Sequence, residues 1–239
     1  MKPLKNRSAS MSAAAIDDAS LRRRLRTQRL RGLYAVTAGI NDTPLLLAKI
    51  AAALEGGACA IQYRNKDASP ALRQEQAFAI ARLQAARGAL YIVNDDPALA
   101  AQVGADGVHI GDDDPSIASA RELIGPDRII GVSCYGDFAR AATAVQAGAD
   151  YVAFGSFFSS STKPAARHAA LELLQRGHEL GVPVIAIGGI DESNARTLID
   201  AGADAVAVIS AVFLHADVSE VRSAAHSIAT ICTHPSGVH

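Results

Sequence analysis

From Gly32 onward the sequence repeats one pattern eight times: a short apolar run that ends in polar or glycine residues, then an Ala-rich stretch with helical periodicity. The apolar runs are rich in Val and Ile, which is typical of buried parallel strands. The predicted strands are 33–37, 58–64, 90–94, 106–110, 128–133, 150–155, 182–188 and 204–209. Eight strand–helix pairs in roughly 200 residues predict an α/β fold, a closed eight-stranded parallel (β/α)8 TIM barrel in a single domain.

Two further patterns support the barrel over an open doubly wound sheet. No G-x-G-x-x-G sequence follows the first predicted strand, which argues against a dinucleotide-binding fold. The tripeptide Gly-Ala-Asp recurs at 104–106, 148–150 and 202–204, each time between a predicted helix and a predicted strand. Its glycine is expected to cap the end of the helix.

The chain is predicted to have three parts. Residues 1–31 form a basic extension, partly disordered or with a short helix, that carries six arginines between positions 21 and 32. Asp17 and Asp18 argue against a transit peptide there, because such peptides are poor in acidic residues. The barrel is expected over 32–233, followed by a tail over 234–239.

Composition excludes several classes of partner. The net charge of −1 gives no indication of nucleic acid binding, and no stretch approaches the roughly 18 apolar residues of a membrane span. Three separated cysteines contain no C-x-x-C pair and favour buried thiols in the cytoplasm. Pairing of barrels through outer helices, giving a homo-oligomer, stays open.

Functional groups of such a barrel come from the carboxyl ends of its strands. After the second strand, "QYRNK" places Gln62, Arg64 and Lys66 in one alternating register, so all three should point toward the barrel mouth. The segment is either a solvated loop or an anion site.

Acidic residues follow the third and fourth strands, where Asn94 precedes Asp95 and Asp96, and "HIGDDD" ends at Asp114. Because neighbouring strands lie about 4.8 Å apart, carboxylates from both ends can meet over one divalent ion. Mg²⁺ suits such a site when a ligand phosphate shares it. The alternative is that these aspartates are helix N-caps: Asp96 is expected to be only a cap, and Asp114 could serve both roles.

A second anion site is expected from hydroxyls and backbone amides at the later strand ends. Glycines there let the backbone approach a ligand, and the last two strands of these barrels often form a phosphate site. The candidate residues of this second site are Gly188, Gly189, Ile209 and Ser210, near strands seven and eight. Ser133, at the end of the fifth strand, and Ser160, Thr162 and Lys163, after the sixth, are expected with the basic, metal-assisted site near strands two to six. A single substrate phosphate would not need both sites.

Together these segments resemble the thiamine-phosphate synthase family, from about Leu33 to Phe213. The resemblance rests on Q-x-R-x-K, "ND", "GVHIG", "GVS", "GADYVAFG" followed by "STK", "IGGI" and "VIS" in this order. It implies a reaction in which a pyrimidine methyl diphosphate is joined to a thiazole phosphate and diphosphate leaves.

The resemblance also implies roles for individual residues. Gln62, Arg64, Lys66, Asn94 and Lys163 would hold the diphosphate, and Asp95 and Asp114 would hold Mg²⁺. Ser133 would touch the pyrimidine diphosphate; of the expected site residues, Arg64, Lys66, Lys163 and Ser133 would carry the catalysis. The thiazole phosphate would be held by Ser160, Thr162, Gly189, Ile209 and Ser210.

The implied mechanism is a dissociative displacement that needs no strong general base, because the attacking thiazole nitrogen carries no proton. This agrees with seven scattered histidines, of which His109 fits either a packed strand residue or a ligand. The sequence departs from the family at Asp112, Ser156 and Ser160, and by the missing aspartate after "VT".

Two alternatives remain at this point. One is a thiazole tautomerase of the same family, thought to use a histidine two residues after the serine of "GVS", a position held here by Tyr135. The other is a barrel that binds a phosphorylated metabolite without catalysis. Arg64, Lys66 and Lys163 argue against passive binding of one phosphate.

Overall fold

The computed structural model describes residues 8–84, 88–159 and 168–233. Within them, parallel strands close into a barrel in which each strand pairs with the next along the chain and the last pairs with the first. The strands are β1 Gly32–Val36, β2 Ala60–Tyr63, β3 Leu90–Asn94, β4 Gly107–Ile110, β5 Ile129–Tyr135, β6 Tyr151–Phe154, β7 Val184–Ile187 and β8 Ala205–Val208. The predicted TIM barrel is confirmed.

Helices cover the outside of this barrel. They are α1 Ser8–Thr27, α2 Thr43–Glu55, α3 Pro70–Gln84, α4 Pro97–Val103, α5 Ile117–Ile124, α6 Phe138–Gln146, α7 Glu172–Gly177, α8 Ala195–Asp200, α9 Ser210–Phe213 and α10 Val218–Thr233. No described helix is both long and apolar enough to cross a membrane.

Alternation along each strand divides the core into two layers. In β1, Leu33 and Ala35 belong to the large cluster between strands and helices, whereas Tyr34 and Val36 belong to a smaller cluster inside the barrel. Leu30, which precedes β1, is fully buried in that inner cluster. The interior of the barrel is therefore filled by side chains, most of them apolar.

The Gly-Ala-Asp repeats join neighbouring strands at the amino end of the barrel. Asp106 accepts a hydrogen bond from the backbone N–H of Tyr91 at 2.9 Å. Asp150 and Asp204 accept equivalent bonds from Ile130 at 2.8 Å and from Val184 at 2.9 Å. The predicted helix cap is seen at Gly104, which ends α4 in the left-handed conformation, whereas α6 and α8 are capped by Ala147 and Ala201, one residue before the glycine.

The same three aspartates bind the basic segment before β1. Arg26 pairs with Asp106 at 3.0 Å, Arg23 with Asp150 at 3.2 Å, and the more exposed Arg31 with Asp204 at 3.6 Å. This segment is therefore fastened to the end of the barrel opposite the carboxyl ends of the strands.

Candidate active site

A cavity of about 1370 Å³ opens at the carboxyl ends of the strands. Eleven residues that the sequence indicated line it: Gln62, Arg64, Lys66, Asn94, Asp95, Asp114, Ser133, Gly188, Gly189, Ile209 and Ser210. The other three, Ser160, Thr162 and Lys163, lie outside the described residues. One cavity therefore collects groups from β2, β3, β4, β5, β7 and β8.

The basic arm that follows β2 is held by polar contacts on its other face. Tyr63 donates a hydrogen bond to Gln76 at 2.9 Å, and the buried Asn65 donates one to the same oxygen at 3.2 Å. Thr37 bonds both backbone polar groups of Arg64, at 2.8 and 3.0 Å. With alternate residues anchored outside, the intervening Arg64 and Lys66 are left to line the cavity.

The acids after β3 and β4 meet at the mouth. Lys66 Nζ lies 2.9 Å from Asp95 Oδ2, and the Asp114 carboxylate accepts the N–H of Gly111 at 2.6 Å. Burial raises the pKa of Asp114, and so do a hydrogen bond to Asp95 and its charge, while Gly111 and Lys66 act in the opposite direction. The carboxyl groups of Asp95 and Asp114 are in contact, and the pKa of Asp114 is raised. The site therefore has too little positive charge to balance both carboxylates.

This donor set fits Mg²⁺. The ion commonly uses one or two protein carboxylates and completes its shell with water and phosphate oxygens. Across the residues that the structure describes, no group of three or more His, Cys, Asp or Glu side chains could hold a metal by itself. An ion held by Asp95 and Asp114 would therefore need ligands from water or substrate.

The expected helix caps are only partly correct. Asp96 caps α4, accepting the N–H of Leu99 at 2.8 Å. Asp114 does not cap α5, so that part of the expectation was wrong. Ser116 caps α5 by accepting the N–H of Ser119 at 3.2 Å, because the helix begins two residues further along.

The glycines after β7 serve a neighbouring loop as well as the cavity. A Cβ on Gly188 would lie 2.0 Å from Ser156 Oγ, and a Cβ on Gly189 would lie 2.4 Å from the carbonyl oxygen of Ser159. Both have positive φ. The loop after β6 can therefore pack on the β7 loop only because these two residues have no side chain.

Sequence reasoning missed a polar chain inside the barrel. Tyr34 and Tyr151 join their hydroxyls at 2.9 Å, and Tyr151 reaches His109 Nδ1 at 3.1 Å. Burial lowers the pKa of His109 to about 4, against the opposing charge of Asp95. Tyr34 and Tyr151 stand in apolar runs of β1 and β6, so no local pattern distinguishes them from ordinary core residues.

The basic side chain Arg140, on α6, was also missed. It forms an ion pair with Asp112 and lies 5.5 Å from the ring centre of Tyr135. In the sequence it is one charged residue in a helix, with no signal that it reaches the mouth.

Comparison with known proteins assigns the chain to a family. A family model described as thiamine monophosphate synthase matches residues 33–212. A thiamine-phosphate synthase of Alcanivorax borkumensis is 50% identical over 202 residues, covering 84% of this chain and 93% of that protein. Another, from Thiobacillus denitrificans, is 52% identical over 195 residues, covering 81% and 91%.

A solved structure agrees with these relatives. The thiamine phosphate pyrophosphorylase of Pyrococcus furiosus superposes with a TM-score of 0.74 at 36% identity, over 86% of this chain and 96% of that one. The family that the sequence resembled is confirmed, and the chain belongs to the thiamine monophosphate synthase family.

Proposed function

We propose that this chain joins 4-amino-2-methyl-5-(diphosphomethyl)pyrimidine to a thiazole phosphate, giving thiamine phosphate and diphosphate. The observation that carries the proposal is that the cationic arm, the acid pair and the glycines after β7 line one cavity. A substrate pair with a diphosphate and a separate phosphate needs both kinds of anion site. The names of the relatives at about 50% identity support the same reaction.

The diphosphate belongs beside the basic arm. Arg64 and Lys66, with Gln62, Asn94 and Lys163, would surround its oxygens. As the bond between the methylene carbon and the diphosphate oxygen breaks, the electron pair leaves with the diphosphate. Cationic side chains that already face this position stabilise the developing charge without reorganising.

Asp95 and Asp114 would hold Mg²⁺ on the same side of the cavity. The ion would supply positive charge to the departing diphosphate. Lys66 lies on the same side and pairs with Asp95 across 2.9 Å. A cation at this position would stabilise the two carboxylates against the burial and the mutual repulsion that raise the pKa of Asp114.

The thiazole phosphate belongs on the opposite side, near Gly188, Gly189, Ile209 and Ser210, with Ser160 and Thr162 expected to contribute their hydroxyls. The thiazole nitrogen donates its lone pair to the pyrimidine methylene carbon, which forms the new C–N bond. Since that nitrogen carries no proton, no side chain has to act as a base. The low pKa of His109, about 4, fits a histidine that stays neutral throughout.

The tautomerase and the passive binder are less well supported. Tyr135 occupies the position of the tautomerase histidine, and its ring lies against Arg140. A passive binder of one phosphate has no use for an acid pair beside a cationic arm. A cytoplasmic location and a homo-oligomer stay predictions.

One assay tests the proposal. The full chain is mixed with both phosphorylated precursors and Mg²⁺, and thiamine phosphate and diphosphate are quantified. We expect the two products in equal amounts, with none when either precursor is omitted and a loss of turnover with a chelator. Isomerisation of the thiazole alone would support the tautomerase, and binding without turnover would support the passive barrel.

A further inference from the structure

A continuous chain of hydrogen bonds crosses the interior of the barrel from β2 to β5. Gln62 Nε2 donates to the Tyr34 hydroxyl at 2.9 Å, and that hydroxyl meets the Tyr151 hydroxyl at 2.9 Å. Tyr151 then contacts His109 Nδ1 at 3.1 Å, and His109 Nε2 contacts Ser133 Oγ at 2.9 Å. We call these five residues the cross-barrel chain.

All five residues of the cross-barrel chain line the cavity, and Ser133 is the one that is not buried. Tyr34 and Tyr151 are each 1% exposed and His109 is 8% exposed. The ring of Tyr151 occupies the space that a side chain on Gly131 would need, since a Cβ there would lie 1.9 Å from Tyr151 Cζ. It also stacks on His109 with 5.6 Å between ring centres. The middle of the chain is thus held in one arrangement by packing.

The direction of the protons follows from satisfying every buried donor. The Tyr34 oxygen already accepts a hydrogen bond from Gln62, and its only other described partner is Tyr151. If Tyr151 also donated to Tyr34, the Tyr34 hydrogen would have no acceptor in a fully buried place, which is costly. Tyr34 therefore donates to Tyr151.

The same reasoning extends to the far end. Tyr151 accepts from Tyr34 and donates to His109 Nδ1, so the neutral ring carries its hydrogen on Nε2 and donates it to Ser133 Oγ. The hydrogen of Ser133 is then left without a described partner in the protein, and Ser133 lines the cavity. Its hydroxyl is set to donate to the ligand.

We propose that Tyr34, Tyr151 and His109 are positioning residues that relay the amide orientation of Gln62 across the barrel and make Ser133 a hydrogen-bond donor to an acceptor atom of the pyrimidine diphosphate. A flip of the Gln62 amide reverses every bond of the chain and turns Ser133 toward His109, so that it offers lone pairs instead. The relay thereby determines which pattern of donors and acceptors the cavity accepts. Only the identity of the ligand rests on the proposed function.

The first test is made on the wild-type chain and needs no turnover; a variant is used only to assign the signals. In a ¹⁵N spectrum of the full, unliganded chain at pH 7.5, the signals of His109 are identified by their loss in His109→Gln. We expect the tautomer that carries hydrogen on Nε2. The Nδ1–H tautomer would overturn the proposal, because Ser133 would then donate to the ring.

The second test interrupts the cross-barrel chain at Tyr34. Tyr34→Phe removes the link to Gln62, and we expect a mixture of His109 tautomers. The KM for the pyrimidine diphosphate should rise roughly fivefold, the effect of one neutral hydrogen bond, with the KM for the thiazole phosphate unchanged. Tyr151→Phe should do the same.

Tyr91→Phe is the matched control, because that buried hydroxyl donates to Ala77 outside the barrel interior. It should change neither the tautomer nor either KM. If Tyr34→Phe gives the same tautomer and the same KM values as Tyr91→Phe, the relay does not exist. If the wild-type chain forms no thiamine phosphate, the proposed function fails, while the tautomer measurement still decides the relay.

Discussion

Arg140 forms an ion pair with Asp112 at the barrel mouth, and its Nε donates a hydrogen bond to the carbonyl oxygen of Ser133 at 2.8 Å. One side chain from α6 thus links the loop after β4 to the end of β5. Asp112 is a further acid at the mouth besides Asp95 and Asp114, and the ion pair neutralises it. The charge of Asp112 therefore adds less to the repulsion between Asp95 and Asp114.

This arrangement predicts a specific rescue. Arg140→Gln should raise the KM for the pyrimidine diphosphate about two- to fivefold, since half-exposed ion pairs contribute only about 0.2–1 kcal/mol. Adding Asp112→Asn should recover part of that loss, because the uncompensated charge is removed. Steady-state kinetics of the two single variants and the double variant measure the coupling, and no recovery in the double variant would contradict the role of Arg140.

Substitutions at the adjacent residues Asp95 and Asp96 distinguish metal binding from helix capping. Asp95→Ala and Asp114→Ala should each lower the Mg²⁺-dependent turnover by roughly 100-fold or more, because they remove charge stabilisation of the leaving group. Asp96→Ala should leave turnover intact and cost about 1 kcal/mol of unfolding free energy through the lost cap. Turnover assays across a Mg²⁺ titration, with urea denaturation, measure both effects. Equal turnover in Asp95→Ala and Asp96→Ala would remove the metal assignment.

The amino end of the barrel should affect stability and not catalysis. Asp106→Ala leaves the N–H of Tyr91 without its acceptor and breaks the ion pair with Arg26, so we expect a loss of about 1–3 kcal/mol in the free energy of unfolding. Arg26→Ala should cost less, because it removes the ion pair and a hydrogen bond to the carbonyl oxygen of Asp127 at 2.7 Å but leaves the N–H of Tyr91 with its acceptor. Arg24→Ala is the control, since within the described residues its side chain has no hydrogen bond or ion pair. Denaturant unfolding and kcat are measured for each variant. A fall in kcat that parallels the loss of unfolding free energy would contradict this view.

His109 predicts a pH dependence of stability. Burial lowers its pKa from 6.5 to about 4 in the folded chain. Above pH 6.5 the residue is neutral in both states and contributes no pH dependence. Between pH 6.5 and 4 the unfolded chain binds a proton that the folded chain does not, so the free energy of unfolding should fall by up to about 3 kcal/mol.

Urea denaturation at pH 7.5, 6.0 and 5.0 checks this dependence. The His109→Gln variant should show a shallower fall than the wild type, because its side chain does not titrate. His226→Gln, at an exposed position on α10, should keep the wild-type slope. An unchanged slope in His109→Gln would mean that the ring takes up its proton over the same pH range in the folded and the unfolded chain.

Gly131 predicts a steric effect on the cross-barrel chain. Gly131→Ala places a methyl group where the Tyr151 ring lies, and overpacking of this kind costs about 1–3 kcal/mol. The displaced ring should also raise the KM for the pyrimidine diphosphate. Gly136→Ala is the control, because a Cβ there meets only ordinary contacts at 3.8 Å. Thermal unfolding and steady-state kinetics are measured for both variants. If Gly131→Ala has the same stability and KM as Gly136→Ala, the Tyr151 ring can move freely.

The sequence by itself determined the barrel and the direction of the basic arm. Both depend on local periodicity. Short apolar runs that take turns with helical stretches specify buried strands. A period of two residues places Gln62, Arg64 and Lys66 on the same side of the chain at the end of β2. The presence of Asp95 and Asp114 at adjacent strand ends followed from the order of the strands. Each of these inferences needs only residues that are close along the chain.

Only the tertiary structure decided the partners inside the barrel and at its mouth. Tyr34, His109 and Tyr151 come from β1, β4 and β6, and look like core residues until closure of the barrel brings the Tyr151 hydroxyl within 2.9 Å of Tyr34 and 3.1 Å of His109. The pairing of Arg140 with Asp112 likewise joins α6 to the loop after β4. Local periodicity says which way a side chain points, but contact between distant segments depends on how the closed sheet positions them.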